Sequence, residues 1–378
     1  MITTINPFQY GGVVSAEAFC NREQELADLT RAAENAERLF VYAERRLGKT
    51  SLVKLMLNRL PKDTYLPVYV DLWSTDGTDR FIITLAKALA EATSTRVEKV
   101  LETAKALFRT LTPSITTDEA GNPSLQFGVV KRDENQPELE EVLSAPLKIA
   151  QRQKGRLIIV IDEFQQLLAY DDDLVERSLR SAIQTHEGVG YLFLGSRKHL
   201  IQQMFLDTSR PLYRAAGHYP LGPIATEHWV PFIRERFEQV DKVISDALIE
   251  QLCTLTEGHP FYTQHLAHAL WEQTEPGGEV VEEGLDAAVD LLLRRESYAY
   301  TTLWELLTKN QQRLLRGLAI EPPETKPFAG AFLQRYKLSS ASSVQRVLKK
   351  LITKDIIDRD NGSFVITDRF FKLWIQRM

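Results

Sequence analysis

Cysteine is scarce in this sequence, since only Cys20 and Cys253 occur among its 378 residues. Two cysteines cannot build a disulfide framework, which favours a reducing compartment. Long hydrophobic runs are also missing: the longest aliphatic stretch, LIIVI from Leu157 to Ile161, is far shorter than the roughly 20 residues of a membrane helix. The first residues, MITTINPFQY, lack the basic and then apolar pattern of a secretory signal. We therefore expect a cytoplasmic protein without a membrane partner.

Basic residues are too few to balance the acidic ones over most of the chain. The formal net charge is −5, yet the residues from Thr302 onward include 14 Lys and Arg but only 7 Asp and Glu, a net charge of +7. The residues before Thr302 therefore carry −12. This asymmetry predicts that any anionic partner binds the last part of the chain. The length allows two or three domains.

Five apolar runs separated by amphipathic helical patterns indicate the fold of the first part of the chain. The runs are LFVYA, LPVYVDLWST, RLIIVIDEF, GYLFLGS and HYPLGPI. Aliphatic strands without polar alternation are typical of a parallel sheet that is covered by helices on both faces. We predict an α/β nucleotide-binding core over residues 1–225. Near residues 110–130 the sequence alternates on either side of DEAGNP, which predicts an inserted β-hairpin.

The remainder of the chain has a helical pattern up to its last segment. Residues 226–300 predict a helical lid domain. Residues 301–378 show three helical segments followed by a hairpin around a DNG turn, an order that is typical of a winged helix-turn-helix. The predicted architecture therefore has three domains.

The segment FVYAERRLGKTSLVKLML, Phe40 to Leu57, predicts a phosphate-binding loop between a strand and a helix. In such a loop, backbone N–H groups at the positive end of the helix converge on phosphate. Gly48 allows a close approach, Lys49 places an ammonium against the β- and γ-phosphates, and the Thr50 hydroxyl suits Mg²⁺. The predicted phosphate-binding set is Arg45, Arg46, Leu47, Gly48, Lys49, Thr50 and Ser51. The alternative is a helix start that carries a solvated lysine.

The usual first glycine of such a loop is replaced by Ala43. This position lies at the end of the strand, where a small residue with ordinary dihedral angles is tolerated, so the replacement does not argue against a working loop. Arg45 and Arg46 face phosphate, a neighbouring subunit or solvent, and the sequence leaves these alternatives open.

The second half of the predicted site follows the third and fourth apolar runs. Asp162 and Glu163 stand at the carboxyl end of a strand, the edge where ligands of parallel sheets bind. We expect Asp162 to hold Mg²⁺ through its water shell and Glu163 to polarise the attacking water. The alternative is an ordinary helix cap. Ser196 and Arg197 end the next strand and are predicted to sense the γ-phosphate.

Three histidines, His259, His265 and His268, occur within ten residues. Their spacing completes no metal-ligand set with a cysteine or carboxylate, so we expect core or surface histidines. In the predicted winged helix, Val344, Val347, Leu348 and Leu351 share one helical face. The opposite face carries Arg346, Lys349 and Lys350. This face either enters a DNA groove, with Arg359 and Lys372 near phosphates, or is merely solvated.

Together these motifs resemble the archaeal and bacterial ATPase family within the signal-transduction ATPases with numerous domains (STAND), which are relatives of AAA+ proteins. The resemblance covers nearly the whole chain and rests on these segments: NPFQYGG, FCNREQEL, VYAERRLGKTSL, IIVIDEFQQL, FLGSRKHLI, PLYR, GHPFY and TDRFFKLW. It implies a parallel-sheet P-loop NTPase core of the ASCE or AAA+-like type with Walker A and Walker B motifs, a helical lid and a C-terminal winged helix. Relatives often have proline at the position of Glu44.

The resemblance also implies roles for residues outside the two motifs. It places these residues around adenine and ribose: Asn6, Pro7, Phe8, Asn21, Arg22 and Glu23. His259 and Pro260 would approach the nucleotide from the far side. An arginine is expected in PLYR, which makes Arg214, ahead of Arg210, a candidate for stabilising γ-phosphate charge, in cis or across a subunit boundary. An ion pair with the acidic body is the alternative.

The sequence therefore predicts an ATP hydrolase that binds ATP or ADP with Mg²⁺ between core and lid. The favoured hypothesis is a slow molecular switch that holds ADP as a monomer until an effector protein arrives. The alternative is a DNA-associated homo-oligomer, a loader or a regulator of replication or transposition. DNA-stimulated turnover and ATP-dependent assembly distinguish the second hypothesis from the first.

Overall fold

The structure is a computed structural model that describes residues 5–15, 17–93, 97–117, 123–128, 136–152, 156–196, 198–360 and 362–378. The chain divides into two compact units. Unit 1 comprises Met1–Arg22, Glu44–Gly48 and Gly222–Met378, and unit 2 comprises Glu23–Ala43 and Lys49–Leu221. The predicted three-domain boundaries stay a prediction.

A five-stranded parallel sheet forms the centre of unit 2. The strands of unit 2 are β1 (Arg38–Tyr42), β2 (Tyr65–Asp71), β3 (Thr112–Thr117), β4 (Pro123–Gly128), β5 (Arg156–Asp162), β6 (Val189–Gly195) and β7 (Gly217–Pro220). The sheet has the order β2-β5-β6-β1-β7, with every neighbouring pair parallel. All five predicted apolar runs therefore contribute strands to it. Because parallel strands end at a common edge, the carboxyl ends of β1, β5 and β6 lie along one edge of the sheet.

Burial explains why these runs form strands of a parallel sheet. In β5 every residue after Arg156 is buried, and β6 is buried along its whole length. A strand that is covered on both faces has no polar side to alternate with its apolar side. The predicted hairpin is also confirmed, because β3 and β4 pair antiparallel, from Thr112 opposite Gly128 to Thr117 opposite Pro123. Residues 118–122 of its predicted turn lie outside the described residues.

Helices cover the sheet of unit 2. They are α1 (Glu23–Glu34), α2 (Lys49–Arg59), α3 (Thr78–Ala92), α4 (Val97–Leu107), α5 (Gln136–Arg152), α6 (Leu174–Thr185) and α7 (Lys198–Leu206), with a 3₁₀ helix at Phe164–Ala169. The helix α2 begins at Lys49, directly after the predicted phosphate loop, and ends before Pro61, which cannot continue a helix.

Unit 1 is largely helical. Its elements are α8 (Thr226–Glu238), α9 (Asp246–Thr256), α10 (Pro260–Gln273), α11 (Glu282–Glu305), α12 (Lys309–Ile320), α13 (Gly330–Arg335), α14 (Ala341–Thr353), β8 (Ile357–Asp360), β9 (Ser363–Ile366) and α15 (Arg369–Gln376). The predicted order of three helices and a hairpin is confirmed by α12, α13, α14 and the antiparallel pair β8–β9. The last helix, α15, follows the hairpin, and the Asp368 carboxylate caps it by accepting the N–H of Phe371.

The core of unit 1 contains both cysteines of the chain. Cys20 and Cys253 are buried free thiols in one hydrophobic cluster. Burial raises the pKa of each thiol to about 12, so both stay protonated at neutral pH. In the same core, the predicted apolar face of α14 is confirmed, since Val344, Leu348 and Leu351 are buried. Within the described parts of the chain, no helix combines the length and apolar character that a bilayer crossing demands.

Candidate functional site

The hydroxyl of Thr50 and the carboxylate of Asp162 meet at the carboxyl edge of the sheet. Thr50 is the second residue of α2, after Lys49, and Asp162 is the last residue of β5. The Thr50 Oγ1 atom donates a hydrogen bond of 2.7 Å to Asp162 Oδ2, across 112 residues of sequence. The second oxygen, Oδ1, accepts the N–H of Glu163 at 2.8 Å. Unit 2 therefore brings Thr50, from the end of the predicted phosphate-binding set, into contact with Asp162 of the strand-end motif.

The Thr50–Asp162 pair fits the requirements of Mg²⁺ rather than those of a transition metal. Among the residues that the structure describes, no group of three or more His, Cys, Asp or Glu is arranged to hold a metal ion. Magnesium needs no such group, because it keeps several waters and takes one or two protein oxygens together with substrate phosphates. A hydroxyl and a carboxylate 2.7 Å apart supply two hard oxygen donors of that kind.

Tyr69 also contacts Asp162, although no sequence motif identified it. Its hydroxyl donates to Asp162 Oδ2 at 2.5 Å, and the ammonium of Lys54 lies 4.7 Å from the centre of its ring. Burial, reinforced by the charge of Asp162, raises the pKa of Tyr69, so the phenol stays a donor. A signal was present, because Tyr69 is a polar-tipped residue inside the apolar run of β2. Its relevance depends on the pairing of β2 with β5, which places Asp71 opposite Asp162.

Glu163 adopts a left-handed backbone conformation directly after β5, with φ of 52°. This conformation is unfavourable by about 1 kcal/mol for a residue with a side chain, and such residues cluster at functional sites. The side chain makes no capping hydrogen bond to the 3₁₀ helix that follows. The helix-cap alternative therefore does not describe Glu163. Its carboxylate instead accepts a hydrogen bond from Ser196 Oγ at 3.0 Å.

Ser196 and Gln165 complete this cluster at the sheet edge. Ser196 follows β6 and is buried, and its hydroxyl contacts Glu163. Gln165 lies in the 3₁₀ helix, and its amide nitrogen donates to both Glu163 Oε2 and Ser196 Oγ. No sequence motif identified Gln165 as a site residue. Arg197, which was predicted to act beside Ser196, lies outside the described residues.

The loop before α2 turns as a phosphate-binding loop requires. Gly48 has φ of +86°, and a Cβ added there would meet no atom of the described residues within 4 Å. Glycine is therefore required by the backbone conformation, and the space beside it is open. Arg46 is also left-handed, with φ of 61°. The side chains of Leu47, Lys49 and Ser51 are buried.

Ala43 occupies its position for the expected reason. It is buried at the end of β1, and its N–H donates to the carbonyl oxygen of Gly195 at 3.4 Å, which continues the pairing of β1 with β6. A small residue without a positive φ is suited to this place. The replacement of the usual glycine therefore leaves the loop intact.

Within unit 1, the loop residues Glu44 and Arg45 contact the C-terminal segment of the chain. The guanidinium of Arg369 is buried and lies 2.8 Å from Glu44 Oε2 and 2.9 Å from Glu257 Oε2. Lys372 bonds the other oxygen of Glu257 at 2.6 Å. We call these four residues, Glu44, Glu257, Arg369 and Lys372, the loop–winged-helix network. A weaker ion pair joins Arg45 to Asp355 at 3.5 Å.

His259 supports the backbone of the same loop. Its Nε2–H donates to the carbonyl oxygen of Arg45 at 3.0 Å. Burial lowers the pKa of His259 to about 3, so the ring is neutral at physiological pH. Pro260 follows as the first residue of α10, and the Arg46 guanidinium lies 4.3 Å above the ring of Phe261. Contact of His259 or Pro260 with a nucleotide stays a prediction.

The residues that the resemblance places around adenine belong to unit 1 up to Arg22, while Glu23 begins α1 of unit 2. Phe8 is 2% exposed and contacts the rings of Phe232 and Phe237, while Pro7 before it is partly buried. Asn21 and Arg22 are both left-handed, with φ of 53° and 75°. The buried guanidinium of Arg22 donates to the carbonyl oxygen of Gly222. Their roles in adenine binding stay predictions.

The two candidate arginines of SRPLYRAAG have different environments. Arg210 forms an ion pair with the buried carboxylate of Glu176, which is the alternative that the sequence analysis left open. Arg214 is exposed and left-handed, with φ of 52°, and its guanidinium lies 5.2 Å from the ring of Tyr213. Arg214 is therefore the accessible arginine of the pair, and its catalytic role stays a prediction.

The predicted DNA face is exposed only in part. Arg346, Lys349 and Lys350 are exposed on α14, and Arg359 is exposed on β8. The ammonium of Lys372, which was predicted to lie near DNA phosphates, lies 2.6 Å from Glu257 Oε1 inside unit 1, and its contact with DNA stays a prediction. The histidines behave as packing residues, since His265 stacks on Tyr10 with ring centres 3.9 Å apart and burial lowers its pKa to about 4.

Comparison with known proteins agrees with this geometry. A family model described as an ATPase domain predominantly from Archaea matches residues 19–266, and a model described as a probable winged helix domain matches residues 298–377. No curated protein sequence matches the chain. With the parallel sheet described above, the two family matches confirm the predicted P-loop core and C-terminal winged helix.

Several solved structures share the fold at low sequence identity. The Walker-type ATPase of Pyrococcus abyssi superposes with a TM-score of 0.65 at 17% identity, covering 98% of this chain and 99% of its own. The Aeropyrum pernix ORC2 protein, in complexes with ADPNP and ADP, gives a TM-score of 0.54 at 16% identity and 94% coverage of both chains. Its ADP form gives 0.51 at 14% identity, covering 95% of this chain and 96% of that one. At these identities the likeness shows the fold alone.

Proposed function

Because this chain belongs to the family of ATPase domains that occur predominantly in Archaea, we propose that it is a slow, Mg²⁺-dependent ATP hydrolase that works as a nucleotide-dependent switch of the STAND type. Membership of this family supports the ATPase activity, and the finer role as a switch is our proposal. The ADPNP and ADP complexes of Aeropyrum pernix ORC2 support the choice of an adenine nucleotide.

The residues at the sheet edge supply the chemistry of hydrolysis. Lys49 would contact the β- and γ-phosphates from the start of α2, while Thr50 and Asp162 would hold Mg²⁺. Bound Mg²⁺ neutralises phosphate charge. Glu163 would accept the proton of the attacking water, and Ser196, which donates a hydrogen bond to Glu163, would act beside it towards the γ-phosphate.

The observation that carries the switch hypothesis is the ion pair between Arg369 and Glu44. Arg369 begins α15, after the winged-helix hairpin, and Glu44 belongs to the phosphate loop. An ion pair with a buried partner has few alternative arrangements, because either charge left alone in the interior is strongly unfavourable. If nucleotide binding rearranges the loop and moves Glu44, Arg369 and the winged helix would therefore have to move as well.

The nucleotide content of the protein tests this function. Freshly purified protein is denatured, and the released nucleotide is identified by chromatography, while turnover of added ATP is measured in parallel. We expect close to one ADP per chain and a turnover well below the roughly 1 s⁻¹ of a slow ordinary enzyme. Protein that releases no nucleotide, even after incubation with Mg²⁺-ATP, would contradict the proposal.

DNA association is the second candidate function, and the exposed basic face of α14 favours it. Arg346, Lys349 and Lys350 are exposed together in a segment of net positive charge. If they contact phosphates, replacing all three by Ala should weaken duplex DNA binding about 10-fold or more and reduce its salt dependence. The replacement of Lys62, an exposed lysine of unit 2, is the control. DNA-stimulated turnover and ATP-dependent oligomers would favour a DNA-associated oligomer over the switch.

A further inference from the structure

The side chain of Gln165 lies between Glu163 and Ser196 at the sheet edge. It is 4% exposed, and every polar atom of its amide is used. The nitrogen Nε2 donates to Glu163 Oε2 and to Ser196 Oγ, the latter at 3.3 Å. The oxygen Oε1 accepts the backbone N–H of Ser196 at 3.4 Å. One amide therefore joins the end of β5 to the end of β6.

The neighbouring glycine leaves room for this amide. A Cβ on Gly195 would lie 2.9 Å from Gln165 Oε1 and 2.1 Å from the Cδ1 atom of Ile201. Neither distance is compatible with van der Waals contact, so a side chain at position 195 would displace one of the two residues. The absence of a side chain on Gly195, at the end of β6, therefore leaves the space that the amide of Gln165 occupies.

The chemistry of the cluster requires an amide at position 165. Glu163 Oε2 accepts from two donors, the Ser196 hydroxyl and the Gln165 nitrogen. A carboxylate of the same length would face Glu163 with a like charge, and an aliphatic side chain would offer no donor. Only a group that donates on one side and accepts on the other satisfies Glu163 and the Ser196 N–H together.

We infer that Gln165 is a positioning residue of the hydrolytic site, which fixes the carboxylate of Glu163 and couples it to Ser196. This inference rests on the proposed role of Glu163 as the base that acts on water. Gln165 itself does not contact the reacting atoms. It limits the orientations of a carboxylate whose backbone is already left-handed, so that the base is aligned before ATP arrives.

The test compares Gln165→Leu with Gln166→Leu, a matched change at the next residue of the same 3₁₀ helix. Gln166 donates to the carbonyl oxygen of Trp73 and contacts neither Glu163 nor Ser196 in the described hydrogen bonds. We expect Gln165→Leu to lower kcat for ATP by about 10- to 100-fold, with KM and ADP affinity unchanged. Gln166→Leu should retain the wild-type kcat. Melting temperatures show whether both variants fold.

A second variant keeps the size of the side chain and changes its charge. Gln165→Glu places a carboxyl group beside Glu163, and we expect it to be nearly inactive at about pH 8, where the two carboxylates repel. As the pH falls towards about 6, protonation of the introduced carboxyl restores a donor and kcat rises. Gln165→Leu has no such group, so its relative rate stays flat over this range.

A spectroscopic measurement tests the contact without hydrolysis. In protein labelled with ¹⁵N-glutamine, Glu163→Ala should shift the side-chain amide resonance of Gln165 and leave that of Gln166 in place. An unshifted Gln165 resonance, or a wild-type kcat in Gln165→Leu, overturns the inference and leaves the proposed function standing. If instead Glu163→Gln hydrolyses ATP at the wild-type rate, the proposed function fails and the inference fails with it.

Discussion

At the scale of single residues, the proposed base stands out by its backbone as well as its contacts. Glu163 has a left-handed φ of 52°. Its carboxylate accepts hydrogen bonds from the side chains of Gln165 and Ser196. Neighbouring Asp162 is engaged by Thr50 and Tyr69 instead. Two adjacent carboxylates therefore have separate partners, which suits separate roles in metal binding and proton transfer.

Replacing the proposed base should separate binding from hydrolysis. Glu163→Gln keeps the shape of the side chain and removes the proton acceptor, so we expect ATP affinity to stay within about twofold while turnover falls about 10²- to 10⁴-fold. Chromatography of nucleotide retained after incubation with ATP measures this, and ATP should accumulate on the protein. Glu187→Gln, at an exposed glutamate of unit 2, is the control and should release ADP normally.

Lys49 should matter for affinity rather than for folding. Lys49→Ala removes one charge-assisted contact with phosphate, and we expect ADP and ATP to bind about 10- to 100-fold more weakly. Calorimetric titration measures the loss, with Lys62→Ala as the exposed-lysine control. Unchanged affinity in Lys49→Ala would mean that nucleotide binds elsewhere on the chain.

The sequence indicated those site residues whose neighbours along the chain reveal them. Gly48, Lys49 and Thr50 are consecutive in one motif, and Asp162 and Glu163 stand together at the end of one strand. Tyr69 and Gln165 were not identified, because their importance comes from partners that are distant in the sequence: Tyr69 is 93 residues from Asp162, and Gln165 is 31 residues from Ser196. The ion pair between Lys372 and Glu257 was not predicted for the same reason, since the two residues are 115 positions apart.

At the scale of elements, two helical glycines should respond oppositely to the same substitution. A Cβ on Gly317 in α12 would lie 2.3 Å from a ring carbon of Phe332. A Cβ on Gly284 in α11 would meet only Val280, at an ordinary 3.8 Å. Gly317 therefore allows α12 and α13 to approach closely, while Gly284 has no such constraint.

We expect Gly317→Ala to destabilise unit 1 by about 1–3 kcal/mol, because overpacking displaces an aromatic ring. Gly284→Ala should stabilise it by about 0.5–1 kcal/mol, because alanine loses less backbone entropy in a helix. Urea unfolding, followed by circular dichroism, measures both changes. Equal shifts of the two midpoints in the same direction would contradict the packing argument.

Element types could be predicted from the sequence, but their arrangement could not. Each of the five apolar runs became a strand because aliphatic residues buried on both faces leave a recognisable pattern. The strand order β2-β5-β6-β1-β7 could not be predicted, because the apolar runs resemble each other and the sequence does not show which of them pair. The hairpin and the winged helix were predictable, since alternation and turn residues act over short distances.

At the scale of the whole molecule, the loop–winged-helix network joins the C-terminal segment to Glu44 of the loop, and we predict that it affects nucleotide exchange. Arg369→Ala leaves Glu44 and Glu257 without their shared guanidinium, which weakens the hold of α15 on the loop. If loop and winged helix are coupled, we expect ADP to dissociate about 10-fold faster, a coupling free energy of about 1.4 kcal/mol.

Stopped-flow release of a fluorescent ADP analogue measures that rate. Arg377→Ala is the matched control, because Arg377 also lies at the end of the chain but pairs with Asp286 and Asp290 of α11, away from the loop. The control should release ADP at the wild-type rate. Equal acceleration by both variants would indicate general loosening of unit 1 and no specific coupling.

Charge asymmetry, by contrast, was a whole-molecule property that the sequence could state but not interpret. Part of the C-terminal positive charge is consumed internally by Glu44, Glu257, Asp286 and Asp290, and another part is exposed on α14. The net charge of the sequence does not distinguish the paired cations from the exposed ones. Only the contacts distinguish cations that hold the chain together from cations that remain for a partner.

Cys20 and Cys253 give unit 1 a built-in reporter of its own opening. The thiolate is the reactive form of cysteine, and both sulfurs are protonated and shielded from solvent in the folded state. The rate of labelling by a maleimide dye would therefore measure how often this core opens to solvent. Labelling rates of the wild-type protein with and without nucleotide would show how strongly a ligand reduces the opening of this core.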